Sequence, residues 1–291
     1  MKARLYLTTT AIFWGLNFHF AKFMMEETSY AQTATWKYVI GVVPLLLISR
    51  KSLLKLNFKT MPLKGILLVG VIGLFSFNYF FFLGLKYTEP LNAALIISLT
   101  PIITIWLSAM VLKTQITRYH IIGAIISIIG VAILLSKGNL SYILALKLNF
   151  GDFIVLLGSF AFALYNVWTK QYKGDFSNSD FTALTNVLCL LCFFILLGFN
   201  REGLSLDHSN AFWLWAIGLG GFGTALAYLL WNEGLSHLGA DSAGLFINIV
   251  PLATAISAIL MGEQLHIYHA ISGIIIIGGV LISQRKTQST P

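Results

Sequence analysis

Ten times along this chain a run of mostly apolar residues, near the length of about 20 that a spanning helix needs, is interrupted by a short polar stretch. The runs fall at roughly 5–24, 34–49, 65–85, 91–112, 119–136, 151–169, 181–199, 211–234, 241–261 and 267–284. Hydrocarbon offers no partner to a backbone N–H or C=O, so a segment that crosses it must be a helix or part of a closed barrel. The period-two alternation of a barrel strand is absent. Composition agrees: 57% of residues are hydrophobic and 10% charged, with mean hydropathy +0.81. A water-soluble domain carries roughly 25% charged residues. The expectation is an all-α membrane protein with ten transmembrane helices.

The net charge of +8 could suggest nucleic acid, but its distribution does not. With the N-terminus inside, one face receives Lys2, Arg4, Arg50, Lys51, Lys55, Lys59, Lys64, Lys113, Arg118, Lys170, Lys173, Arg285 and Lys286. The other receives Lys22, Lys37, Lys86, Lys137, Lys147 and Arg201. Thirteen against six is the bias of the positive-inside rule, and it places both termini in the cytoplasm. The partner implied is a lipid bilayer, with no nucleic acid. The first run is too long for the apolar part of a signal peptide and lacks a small-residue cleavage site. Cys189 and Cys192 lie one helical turn apart in an apolar run with no other thiol or histidine near in sequence, and read as packing residues.

The chain also repeats itself. At an offset of 150, Gly73 falls on Gly223, Gly84 on Gly234, Ala93 on Ala243, Pro101 on Pro251 and Gly123 on Gly273. Leu and Ile meet by chance in so apolar a sequence; prolines do not. Two of the three prolines inside apolar runs fall in register. A duplicated unit follows: residues 1–136 form a first five-helix repeat, 137–150 an interfacial linker, and 151–291 a second repeat, in one membrane domain. Five is odd, so the second copy enters the membrane from the opposite side. Such inverted repeats can expose a shared midplane site to each face in turn.

Candidate site residues lie on matching stripes. The first run carries Trp14, Asn17, His19 and Lys22; its counterpart carries Tyr165, Asn166, Trp168 and Lys170. In the third and eighth runs Asn78, Phe81 and Phe82 match Tyr228, Trp231 and Asn232, each trio on one helical face. Tyr79 adjoins the first trio. Amide and phenol groups need partners that lipid cannot supply, so these stripes should face the bundle interior. There they either line a cavity or bond helix to helix. Pro101 and Pro251 break the fourth and ninth runs, each one turn after a polar residue, Ser98 or Asn248. Lys22 and Lys37 either snorkel to headgroups or act in gating, for which Glu233 is a further candidate. His19 either carries a proton or bonds across a helix interface. The glycines of the fifth, eighth and tenth runs suit close helix contacts rather than a phosphate loop.

Together these motifs resemble the drug/metabolite transporter superfamily in its EamA-type branch. The resemblance rests on Gly223-Thr224-Ala225-Leu226-Ala227-Tyr228, Trp231-Asn232-Glu233-Gly234-Leu235, Asn248, Pro251, Gly262-Glu263, Trp14-Gly15, Asn17-Phe18, Lys22, Gly151-Asp152 and Ala163-Leu164-Tyr165-Asn166. It covers nearly the whole chain. It implies two inverted five-helix repeats around a central cavity and export of amino acids or other small metabolites, with no cofactor. Two positions depart from the family pattern. Lys37 stands where an arginine is common, and Leu112-Lys113 where the family has Gly-Glu, leaving Glu263 alone at that role.

An aromatic and amide lining suits a small amphiphilic metabolite, most plainly an amino acid. No Asp or Glu falls at the centre of a run, which favours facilitated movement or proton coupling through His19. The rival class is a membrane enzyme with an interfacial site, for which Glu263, His266 and His269 are the one candidate metal group. Substrate identity, direction and oligomeric state stay open at this level. A bacterial cytoplasmic (inner) membrane is the expected location.

Overall fold

The computed structural model describes residues 1–55, 61–88, 90–145 and 147–285. Lys59 and Lys286, counted above among the cytoplasmic charges, lie outside these. Ten long helical stretches occupy the ten apolar runs: α1 Lys2–Met25, α2 Tyr30–Leu53, α3 Leu63–Gly84, α4 Asn92–Val111 and α5 Arg118–Leu135 in the first half. The second half holds α6 Phe150–Tyr172, α7 Asn178–Asn200, α8 Asn210–Leu238, α9 Ala240–Leu260 and α10 Ile267–Ser283. No strand occurs among the described residues. Between the halves, the described residues from 137 to 149 hold one short helix, Leu140–Leu144.

Local chemistry sets the boundaries. Side-chain oxygens of Ser29, Thr117, Ser177 and Ser209 each accept the backbone N–H three residues on, satisfying a donor left free at a helix start. Asn149 and Asp152 form a reciprocal capping box that opens α6. Gly239 ends α8 at φ 87° and Gly262 follows α9 at φ 108°, backbone that side chains with a Cβ rarely adopt. Eight of the ten helices are long and apolar enough to cross a membrane. α1 has the length but more polar residues, and α10, at 17 residues, rises about 26 Å. The outward faces carry exposed Val43, Leu47, Ile195, Leu214 and Ile274, a surface suited to acyl chains.

The halves interlock rather than stand apart. α1 packs on α8 and α9, while α6 packs on α3 and α4; α2 meets α8 where α7 meets α3, and α5 pairs with α10. Glycines make these crossings close, and they do so twice over. A Cβ on Gly73 would fall 2.9 Å from Tyr165 Cα, and one on Gly223 within 1.9 Å of the Asn17 amide. Gly84 abuts Val155 as Gly234 abuts Leu7; Gly70 abuts Leu188 as Gly220 abuts Ile40. The glycines are 150 residues apart in each pair and their partners 148, the offsets found in the sequence. The backbone repeats too: α3 widens to π-helical geometry over Leu68–Phe75 and α8 over Gly218–Leu226. Ser76, just past the first of these turns, donates from its Oγ to the Val71 carbonyl, and Thr224 Oγ1, within the second, donates to that of Leu219, both five residues back. Such π turns lodge extra backbone at specialised places in helices.

Both proline helices break just before the proline. α4 is interrupted at Ser98–Leu99 and resumes at Thr100; α9 runs through a 3₁₀ turn, Leu245–Asn248, and resumes at Ile249. Not every glycine proves to be a crossing point: Gly221 and Gly278 have open space where a Cβ would go. Gly279, in contrast, would bring a Cβ 2.6 Å from Ser127 N and 2.7 Å from Gly123 O, both backbone atoms that cannot rotate away. Gly279→Ala should therefore lower unfolding free energy by about 1–3 kcal/mol through overpacking, whereas neighbouring Gly278→Ala should be near neutral. Thermal unfolding of the two variants in detergent checks this; equal melting temperatures would refute the assigned face.

Candidate functional site

Two cavities share a wall near the middle of the bundle. The first, of about 150 Å³, lies among α1, α2, α3, α8 and α9, with α4 and α6 also reaching it. Its polar lining is Trp14, Asn17, Thr33, Lys37, Asn78, Thr100 and Tyr228; Phe18, Phe77, Phe81, Phe82 and Phe162 supply aromatic walls. The second, of about 410 Å³, lies between α1, α4, α5, α9 and α10, and reaches helix ends at Lys137, Glu263, Tyr268 and His269. Phe18, Ile97, Ile247 and Val250 line both, so an apolar partition separates them. Both occupy the half of the bundle that carries the α1–α2 and α9–α10 connections.

Among the described residues Lys37 is the only charged one lining the first cavity, and it is 8% exposed. The sequence left it between snorkelling to headgroups and a gating role; the fold turns it inward, since α2 packs against α7 and α8, which sets the headgroup reading aside. It therefore drops out of the loop-charge comparison. Its Nζ donates to Asn78 Oδ1 at 3.0 Å, and the Asn78 amide donates to Tyr38 OH at 3.0 Å and to the Leu74 carbonyl at 2.8 Å. None of the described carboxylates forms an ion pair with it. Lys22, one of the other cation candidates, is exposed and lines neither cavity.

Trp14 holds the floor of the first cavity. Its Nε1 donates to the Gly223 carbonyl at 3.2 Å, a contact the missing Cβ makes available, and Asn17 Nδ2 donates to the same oxygen at 3.3 Å. Its ring lies 5.5 Å from Phe162 and Tyr228 and 4.9 Å from Trp231. Below this floor the remaining stripe residues bond to one another rather than to a void. Tyr165 OH donates to Asn232 Oδ1 at 2.9 Å, Asn232 Nδ2 to Thr182 Oγ1 at 2.8 Å, and Trp231 Nε1 to Asn166 Oδ1 at 2.8 Å. All five residues are buried. Further out, Lys170 Nζ donates to the Ser236 carbonyl at 2.6 Å and Asn178 Nδ2 to Glu233 Oε2 at 2.5 Å. Glu233 thus belongs to the end carrying the α6–α7 and α8–α9 connections, far from the cavities.

The second cavity gathers Ser98, Asn248, Pro251 and His19. Asn248 Nδ2 donates to Ser127 Oγ at 2.8 Å and Ser98 Oγ to the Leu95 carbonyl at 2.6 Å. His19 Nε2 meets the Thr254 carbonyl at 3.3 Å. Pro101, Tyr79 and Trp168 line neither cavity; Tyr79 stacks on Phe75 at 5.8 Å, and Trp168 packs against the central core cluster. His266 and His269 sit with Tyr268 at the start of α10, where their rings stack and His269 Nδ1 accepts the His266 N–H. Among the described residues no group of three His, Cys, Asp or Glu side chains is placed to hold a metal ion. Cys189 and Cys192 are free thiols, the former in the core cluster.

Thr33, Thr100, Phe77 and Phe162 line the first cavity without having stood out in sequence. Thr33 had a signal, four residues before Lys37 on the same face; the phenylalanines had none among 22 of their kind. Asn78→Leu would leave the Lys37 ammonium buried without its acceptor, at a cost of about 1–3 kcal/mol. Adding Lys37→Met should recover most of that loss, as thermal unfolding of the two single variants and the double variant in detergent would reveal. A double variant no more stable than Asn78→Leu would contradict the pairing.

A family model described as the EamA-like transporter family matches this chain twice, at residues 1–136 and 149–284. An "Uncharacterized transporter YyaM" of Bacillus subtilis (strain 168) is 32% identical over 274 residues, covering 93% of this chain and 90% of that protein. An "Uncharacterized transporter" of Archaeoglobus fulgidus is 27% identical over 294 residues, with 98% of each chain covered. A solved crystal structure covering 97% of both chains superposes with a TM-score of 0.79 at 18% identity, a likeness of fold alone.

Proposed function

The chain belongs to the EamA-like transporter family, and on that premise we propose that it exports amino acids or similar small amphiphilic metabolites by alternating access through the first cavity. In this reading all ten helices span the cytoplasmic membrane of a bacterium as two inverted five-helix repeats, with both termini in the cytoplasm. The excess of Lys and Arg on the terminal side supports that orientation. The cavities then face outward, and the face beyond the Tyr165–Asn232–Thr182 network is closed.

The observation that carries the proposal is an asymmetry laid over a symmetry. Helix contacts and glycine crossings recur between the halves with partners exchanged. Yet the α1–α2 side of the midplane holds cavities, while the matching positions on the α6–α7 side are knotted together by side-chain hydrogen bonds. Two similar halves with two unlike ends describe one state of a pair. Exchanging the roles of the halves opens the other end and closes the first, with the same contacts traded. His19, in the second cavity beside the Thr254 carbonyl, is the residue we assign to any proton coupling.

Trp14 forms the floor between the open and closed halves, so its loss tests the route. In proteoliposomes loaded with a panel of amino acids and related metabolites, the parent protein should drive counterflow of at least one of them. Trp14→Ala should reduce that flux tenfold or more while the purified variant still elutes as a folded protein. Flux equal to the parent would remove the cavity from the path, and no flux of any panel member by the parent would overturn the substrate class.

A further inference from the structure

We infer that the first cavity recognises its substrate by a carboxylate bound at Lys37 and Thr33, making the acid group obligatory and an α-ammonium dispensable. The inference rests on the transporter reading above and names the chemistry that the cavity selects. A lysine ammonium has three N–H donors. Asn78 takes one, and among the described residues no other acceptor is bonded to the amine of Lys37, a residue nine-tenths buried. A buried cation with spare donors and no counter-charge is costly unless an anion joins it.

The surroundings define which anion. Thr33 lies one turn before Lys37 on the same face, and its buried hydroxyl has no partner; Thr100, entering from the break in α4, is in the same condition. An ammonium and a hydroxyl stacked on one helix face offer donors to the two oxygens of a single carboxylate. A phosphate monoester carries close to two charges and would meet only one cation here. The other walls, Phe18, Phe77, Phe81 and Phe82, suit an apolar body. No carboxylate among the described residues lines the cavity, so an amine on the ligand would find no counter-charge there; the unpartnered Asn17 Oδ1 offers it one neutral acceptor, and a ligand bearing only an amine would face Lys37 unshielded.

Four probes that share a benzyl group separate the terms: phenylacetate, phenylalanine, phenethylamine and phenylacetamide. Binding to the purified full-length protein is read by quenching of its tryptophan fluorescence and by calorimetry. Phenylacetate and phenylalanine should bind at least tenfold more tightly than the amine and the amide. Lys37→Met should abolish that preference and Lys37→Arg should keep it, each variant being checked for a folded elution profile. Because the probe series on the parent protein needs no variant, misfolding cannot hide the answer. Phenethylamine or phenylacetamide binding as tightly as phenylacetate would overturn the inference, as would phenylalanine binding without phenylacetate. If none of the four binds while the proteoliposomes still move other metabolites, the carboxylate anchor is wrong and the transporter reading stands. If no solute moves at all, the reading beneath it has failed instead.

Discussion

The close approach of α1 to α8 and of α6 to α3 is the constraint on which this molecule depends. In hydrocarbon there is no hydrophobic push between helices, so association relies on backbone proximity, packing and a few side-chain hydrogen bonds. Gly223 lets Asn17 and Trp14 reach its carbonyl, and Gly73 seats the Tyr165 backbone. Each crossing joins one half of the chain to the other, while the polar stripes bond within their own halves, Asn78 to Lys37 and Tyr38 and Asn232 to Tyr165 and Thr182. The cavity exists because two such crossings, one from each half, leave unfilled space between them at the level of Trp14 and Tyr228.

That arrangement gives the polar side chains a double use. Where helices diverge, Lys37, Asn78, Thr33 and Asn17 line space; where they converge, Tyr165, Asn166, Thr182, Trp231 and Asn232 bond to one another, with only the Asn166 amide nitrogen of the described set left without a partner. Hydrogen bonds of this kind between transmembrane helices are individually modest, about 0.6 kcal/mol on average where measured. A seal of three such bonds is strong enough to hold one state and weak enough to be exchanged. The proline breaks at Pro101 and Pro251 and the π turns of α3 and α8 place irregular backbone beside these groups, where the helices can reseat without melting.

Much of this was legible in the sequence. The apolar runs at 91–112 and 119–136 became Asn92–Val111 and Arg118–Leu135, because run length and hydropathy are what hydrocarbon demands. The offset of 150 carried through to glycine contacts, π turns and proline breaks. Less legible was which polar residues face space and which face each other. Asn232 and Asn78 occupy neighbouring registers on corresponding helices, yet one is locked between Tyr165 and Thr182 and the other lines a cavity. The two halves also carry different side chains at matched registers, Phe81 and Phe82 where the second has Trp231 and Asn232, and the pattern alone does not say which amide will meet a partner. For Lys37 the sequence left a headgroup position and a gating role open, because its closeness to the helix end suits the first and the partner that holds it inside, Asn78, is supplied by another helix.

The central claim is that matched positions in the two halves take turns facing water. Ala21 lines the first cavity, and its counterpart at the offset of 148, Thr169, is 2% exposed with an unpartnered hydroxyl. In a background with Cys189 and Cys192 replaced by alanine, Ala21→Cys and Thr169→Cys can each be probed with membrane-impermeant thiol reagents from either side. At rest, the outer reagent should label position 21 quickly and the inner reagent should label position 169 slowly. Saturating transported substrate should slow the first and speed the second. A residue at position 169 that stays unreactive throughout active transport would contradict the account.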